Sequence, residues 1–274
     1  LIGLRVGLAV GPRVGYASGL TEDPWSSAGA GGGIPGVTRD AASGIYFPAT
    51  SAEWTIILGI AGIATGGPSA IYNFQEASGN PADATGTFPL TAAGTGLVYA
   101  QAIPGYTRLA VGTTTGGTGV FSTTSASLPD ISTDSQLTMA VVLPSTIATT
   151  RDVHGGGAAG TRVNSQLVAT TGQARGMSVG NNATGIINSG GTVRPWVLKH
   201  DRTALATTLY TDAEKMTPTF GGTSAGKSIT FGNFVAGAGT CRYLYAATWI
   251  TAAALIPEAK IRTLLQTLGW TVLW

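Results

Sequence analysis

The chain is predicted to be mostly β: a two-layer β-sandwich preceded by an N-terminal extended arm and a linking helix, and closed by a C-terminal helix. Two observations predict it. From Ala70 onward, short alternating runs are separated by Gly, Pro and Asn at close spacing, the pattern of many short strands joined by turns. Charged residues make up only 10% of the 274 residues, against about 25% in an ordinary soluble domain, while there are 41 glycines, so turns and β-branched packing replace salt-bridged helices. The length suits one large β-domain with an appendage. We divide the chain into an arm and Gly-rich linker at 1–45, a connecting helix at 46–69 and the β-domain at 70–274.

Leu1 to Leu20 carries glycine at every fourth position from Gly3 to Gly19, a spacing seen where membrane helices pack. Arg5, Arg13 and Pro12 argue against a membrane span and against a signal peptide. Period two fits better: Ile2, Leu4, Val6, Leu8, Val10, Val14 and Tyr16 share one edge, and glycine, Arg5 and Arg13 fall on the other. Pro12 cannot donate in a ladder, which makes this an edge strand or a clamped arm. The stretch from Trp25 to Gly36 is a flexible linker by composition. An arm beyond such a linker gains order only when its own domain or a neighbouring subunit holds it. Leu4, Arg5, Val6, Leu8, Arg13 and Tyr16 are therefore candidate assembly contacts, and so is Trp274 after Thr-Val-Leu at the other end. The chain begins with Leu, which leaves a processed start or an unusual initiation codon open.

Phe47 to Thr65 is predicted as the first helix. Thr50 with Glu53 forms a capping box, and Trp54, Ile57, Leu58 and Ala61 make its apolar stripe. Gly66-Gly67-Pro68 is the expected stop. Strands are expected at Ala70–Phe74, Phe88–Ala92, Gly96–Gln101, Tyr106–Val111 and Gly119–Thr123. Gln136 to Pro144 is the strongest, ended by its proline. Further strands are expected at Arg162–Thr170, Gly176–Gly180, Thr192–Asp201, Ala206–Met216, Lys227–Asn233 and Tyr243–Ile250. The last helix starts with Pro257 at its first position, buries Ile261, Leu264, Leu265 and Leu268, and ends at Gly269 with Trp270 packed back beneath it.

Ser69-Ala-Ile-Tyr-Asn-Phe-Gln-Glu-Ala-Ser-Gly-Asn-Pro-Ala-Asp83, an aromatic strand followed by Glu-Ala-Ser-Gly and then Ala-Asp, resembles the first strand of laminin-G-like, concanavalin A-like jelly rolls. Gln136–Pro144, the Leu209-Tyr210 strand, Ser228-Ile-Thr-Phe-Gly232, Tyr243–Ile250 and the closing helix follow in that family's order. The likeness runs over about Ala70 to Trp270 and implies a jelly-roll β-sandwich. The family's Asp-Gly turn is replaced here by Asp212-Ala213.

The chemistry expected is sparse. Concanavalin A-like hydrolases carry a Glu-x-Asp-x-x-Glu strand, and a retaining glycosidase needs paired carboxylates. That strand is absent, and the nearest pair, Asp212 and Glu214, reads as a solvated loop tip. Glu76 and Asp83 are expected to bond turn amides, with calcium, as in some laminin-G relatives, the alternative. Asp152 and His154 share a strand side, but no Gly-x-Ser-x-Gly elbow accompanies them. His200-Asp201-Arg202 reads as a polar hairpin tip. Gly155-Gly156-Gly157 and Gly190-Gly191 are turn glycines rather than a phosphate loop. The single cysteine, Cys241, excludes an internal disulfide and reads as a buried strand thiol. Trp54, Trp196 and Trp249 are expected in the core, and Trp25, Trp270 and Trp274 in irregular stretches.

A net charge of +2 without Lys/Arg clusters excludes a nucleic-acid footprint. The expectation is a protein that is not an enzyme: a structural component of a tailed-phage virion, in capsid decoration or tail, assembled in the host cytoplasm. The wording Trp54-Thr-Ile-Ile-Leu, Gln75-Glu-Ala-Ser-Gly and the closing Leu268-Gly-Trp is similar to phage structural proteins carrying such a domain. The partners implied are other virion proteins and copies of the chain itself, with no membrane. The alternative is a carbohydrate-binding adhesion module for host surface glycans.

Overall fold

A computed structural model describes residues 33–114, 117–123, 128, 130–145, 150–158, 161–219, 222, 225–232, 240–251 and 255–274. The chain divides into Leu1–Pro35 and Gly36–Trp274, and the second unit holds the fold. Leu4, Arg5, Val6, Leu8, Arg13 and Tyr16 lie outside the described residues.

Gly36–Trp274 is a sandwich of two antiparallel sheets. The first contains β1 (Ala70–Tyr72), β3 (Leu97–Ala102), β4 (Leu109–Thr113), β6 (Ser135–Pro144), β11 (Arg194–Asp201), β12 (Ala206–Tyr210), β13 (Lys215–Met216) and β15 (Cys241–Thr251). Its order is β13-β12-β11-β6-β15-β4-β3, with β1 also on β15. The second contains β2 (Thr91–Ala93), β5 (Val120–Thr123), β7 (Arg151–Gly156), β8 (Val163–Leu167), β9 (Gln173–Ser178), β10 (Asn181–Asn188) and β14 (Ile229–Gly232), in the order β10-β9-β8-β7-β14-β5-β2. Helices α1 (Ser51–Ile60) and α2 (Glu258–Thr267) complete the fold.

Strand β6 is buried along nearly its whole length, and its register explains why. Ala140 and Val142 belong to the core between the sheets, with Trp196, Leu198, Phe231, Tyr243 and Ala246. Leu137, Met139 and Val141 point the other way, opposite Trp249, Ala247 and Tyr245 of β15. On that face the Trp54 ring of α1 meets Trp249 edge-on at 4.9 Å. Its indole N–H donates to the Tyr245 hydroxyl at 2.7 Å, and that hydroxyl donates to the Pro48 carbonyl at 2.6 Å. A strand covered on both sides reads as a continuous apolar run, which is how Leu137 to Leu143 looks in the sequence. Cys241 is buried at the start of β15, and burial pushes its thiol up to about 12.

The expected capping of α1 is present in part. Thr50 Oγ1 accepts the Glu53 amide at 3.3 Å. The Glu53 carboxylate reaches past Thr50, to the amides of Ala49 at 3.1 Å and Thr38 at 2.7 Å. The helix is shorter than the expected Phe47–Thr65, because it stops at Gly62 rather than at Gly66-Gly67-Pro68. Gly62 adopts φ +62°; its amide donates to Gly59 O at 3.1 Å, and the Ile63 amide donates to Leu58 O at 2.9 Å. These bonds close a Schellman motif with Ile63 and Leu58 both buried. Helix α2 ends in the same way at Gly269, and Trp270, in the irregular stretch after it, is buried beneath the helix end as expected. Pro257 is the N-cap of α2, one place before the expected first helical position.

Other expectations are corrected. Strand β1 ends at Tyr72, two residues before the expected Phe74, because Phe74 takes φ +52°. That conformation turns its ring into the aromatic cluster of Phe121, Phe231 and Tyr243, where apolar burial offsets the roughly 1–2 kcal/mol of left-handed strain. Gly155 and Gly156 lie in β7, not in a turn. The stretch after Gly36 is pinned to the sandwich by Asp40, whose carboxylate accepts from Ser43 and from the amides of Thr107 at 2.8 Å and Arg108 at 2.9 Å.

Candidate functional site

The acidic residues singled out in the sequence serve the fold. Asp83 Oδ1 accepts the amides of Ile71 and Thr85, and Oδ2 accepts those of Thr87 and Phe88 and the Thr85 hydroxyl, all within 2.9 Å. A carboxylate ringed by N–H and O–H donors faces hydrogens where a calcium ion would need bare oxygens. Glu76 Oε1 accepts the Ala82 amide of the same turn. Asp212 and Glu214 are not a solvated tip: Asp212 pairs with Arg194 at 2.8 Å, and Glu214 accepts the amides of Ile186 and Ile187 on β10.

The histidines are interior. His154 lies between the sheets, its Nδ1 at 2.7 Å from Ser165 Oγ and its Nε2 at 3.3 Å from the Thr138 carbonyl. Burial lowers its pKa to about 3, so the ring is neutral. Asp152, expected on its side of the strand, is separated from it by the bulge between Asp152 and His154, and bonds Asn164 and Gln166. His200, expected at a polar tip, is fully buried against Thr207 and the Ile131 carbonyl. Trp274 donates to Thr211 O at 2.6 Å, and its ring lies 5.4 Å from Tyr210.

A concave feature is built elsewhere, where the loop after α1 crosses the end of β15 and the start of α2. It is an open groove of about 680 Å³. Gly62 to Gly67 form one wall, Trp249 and Ile250 the floor, and Leu255, Pro257 and Lys260 the other wall. The loop is held at its ends. Ser69 donates its amide to Thr248 O at 2.7 Å, and its hydroxyl accepts the Ile250 amide at 3.2 Å. In between, the Trp249 indole donates to Gly66 O at 3.0 Å. Between these anchors, the amides of Ala64, Thr65, Gly66 and Gly67 make no main-chain hydrogen bond among the described residues. The result is a wall of unpaired main-chain amides, with the Gly66 carbonyl taken by Trp249, beside the apolar Ile250. The Lys260 ammonium stands 3.5 Å from Ala61 O, at the C-terminal end of α1, where the helix dipole favours a cation. Nothing in the local sequence marks this site: Ala61 and Lys260 are 199 residues apart.

No protein-family model matches the chain, and no curated protein matches it in sequence. Solved structures do match in shape. Trypanosoma rangeli sialidase in complex with 2,3-difluoro-KDN overlaps 74% of this chain and 33% of its own, with a TM-score of 0.54 and 12% identity. The same sialidase in complex with sialic acid overlaps 75% of this chain and 35% of its own, with a TM-score of 0.53 and 10% identity. The receptor-binding domain of botulinum neurotoxin C/D mosaic serotype overlaps 73% of this chain and 51% of its own, with a TM-score of 0.48 and 10% identity. The likeness to the sialidase is one of fold, a β-sandwich, and the chain spans about a third of the sialidase's length. That likeness corrects one expectation, that the chain lies outside the enzymes because it lacks a carboxylate strand: the solved structures it overlaps in fold include sialidases.

Proposed function

We propose that the chain is a carbohydrate-binding β-sandwich whose saccharide site is the groove over Trp249. The groove itself carries this reading. Its glycine-rich wall offers main-chain amide donors to hydroxyl groups, and Ile250 and Pro257, over the buried Trp249 and Leu255, offer apolar surface to the C–H face of a sugar ring. A fold overlapping a sialidase described with sialic acid supports it. The test is a glycan array probed with the full chain and with G67W, a site where a Cβ meets nothing within 4 Å. Binding by the native chain that is lost in a normally folded G67W is expected. No retained saccharide, or binding untouched by G67W, overturns the reading.

Display on a tailed-phage virion is a second reading, favoured by the laminin-G-like wording of Ser69 to Asp83 and the similarity of Trp54–Leu58 and Leu268-Gly-Trp to phage structural proteins. In it, the segment holding Leu4, Arg5, Val6, Leu8, Arg13 and Tyr16, together with Trp274, joins the sandwich to copies of itself and to other virion proteins. Deleting residues 1–36 should remove the subunit from purified particles; unchanged incorporation overturns the anchoring role.

A further inference from the structure

Resting on the glycan reading, we infer that the groove selects a carboxylate-bearing sugar, held by the Lys260 ammonium. Lys260 is the charged residue in the groove lining. Among the described residues no carboxylate lies within ion-pair distance of it. The acid nearest in sequence, Glu258, is engaged with Lys215. Ammonium nitrogen carries three donors, and the Ala61 carbonyl takes one, at 3.5 Å. A Cβ on Gly62 would meet Nζ at 3.3 Å, so the ammonium stands against the glycine wall rather than trailing into solvent. A surface lysine is ordinarily a solvated charge. This one borders a concavity with an apolar floor, where field lines are focused and an anion is attracted more strongly than on a flat surface. A sugar ring lying against Ile250 and Pro257, with its hydroxyls toward the amides of Gly66 and Gly67, would turn a ring carboxylate to the Lys260 side of the groove, which makes uronic and sialic acids the matching class.

The experiment titrates the full chain, by calorimetry at low salt, with the methyl glycosides of glucuronic acid and N-acetylneuraminic acid, their methyl esters, and methyl glucoside. Each ester keeps the ring and loses the charge. The acids are expected to bind about 10- to 100-fold more tightly than the esters, the range for a charged hydrogen bond. K260Q should erase that preference, K260R should keep most of it, and both should melt as the native chain does. Esters binding as well as acids, or a preference that survives K260Q, overturns the inference while leaving the glycan reading standing. Binding of none of these probes, together with an empty array, overturns the glycan reading itself.

Discussion

The carboxylate of Glu214 closes the edge of β10 at Ile186, whose amide it accepts at 2.9 Å. Its other oxygen takes the Ile187 amide at 3.1 Å, so one side chain next to β13 seals the outermost strand of the opposite sheet. The Ile186 side chain itself is 85% exposed. An edge of this kind, left open, is a template for pairing with another chain. E214A is expected to lower stability by about 1–2 kcal/mol, to speed hydrogen exchange at the Ile186 and Ile187 amides and to raise the apparent mass in light scattering. Unchanged exchange at both amides would show that the carboxylate does not protect the edge.

The Trp54–Tyr245–Pro48 relay joins the helical layer to β15 through one hydroxyl. Y245F removes it and strands a buried donor and a buried acceptor, each costing about 1–3 kcal/mol. A loss of about 2–4 kcal/mol in urea unfolding is expected, and the loss in W54F/Y245F should be smaller than the sum of the two single losses, because the hydrogen bond they share is lost only once. Additive losses would contradict the coupling.

Acid should weaken the fold in two overlapping windows, the upper at His154 and the lower at Asp40. His154 is neutral in the folded state, with its pKa lowered to about 3 by burial. The unfolded chain takes up that proton near pH 6.5, so this contribution is complete above pH 6.5 and declines as pH falls toward 3. The loss is on the order of 3 kcal/mol at pH 4. Asp40 behaves as a depressed carboxylate: burial would raise its pKa, but hydrogen bonds from Ser43, Thr107 and Arg108 outweigh burial and hold it at about 2. Its contribution is present above the ordinary value of 3.8 and is lost as pH falls through about 2. Urea midpoints measured from pH 7 to pH 2 should show a flattened upper window in H154Q and a flattened lower one in D40N.

Helix α1 stops where Gly62 takes a left-handed conformation. G62A should cost about 1 kcal/mol, whereas G66A, at a position with no positive φ and nothing within 4 Å of a Cβ, should be close to neutral. Thermal melts of the two variants decide it; an equal cost at both sites would return the stop to Gly66-Gly67-Pro68.

Much of the fold was legible because local chemistry and tertiary need agreed. Thr50 does cap α1, Gly269 does end α2, and Gln136–Pro144 is the central strand, because capping groups, αL glycines and apolar runs act over a few residues. Strand β10 was not legible. Asn181-Asn-Ala-Thr-Gly-Ile-Ile-Asn188 has no period-two apolar face, and what holds it is pairing with β9 and the Glu214 carboxylate. Asp212 and Glu214 looked like solvent-facing loop charges for the same reason: Arg194 and β10 are remote in sequence.

From residue order alone came the β-sandwich, its closing helix and the core positions of Trp54, Trp196 and Trp249, since alternation and turn residues dictate which side chains leave water. The tertiary structure alone decided that the buried histidines serve packing, that the acidic residues brace turns and edges, and that Gly62–Gly67 meets Trp249 and Lys260 across a groove. The physical reason is distance along the chain. Burial is a property of patterns a few residues long, whereas a concave site needs segments some 200 residues apart to be brought together, as Ala61 and Lys260 are at 199.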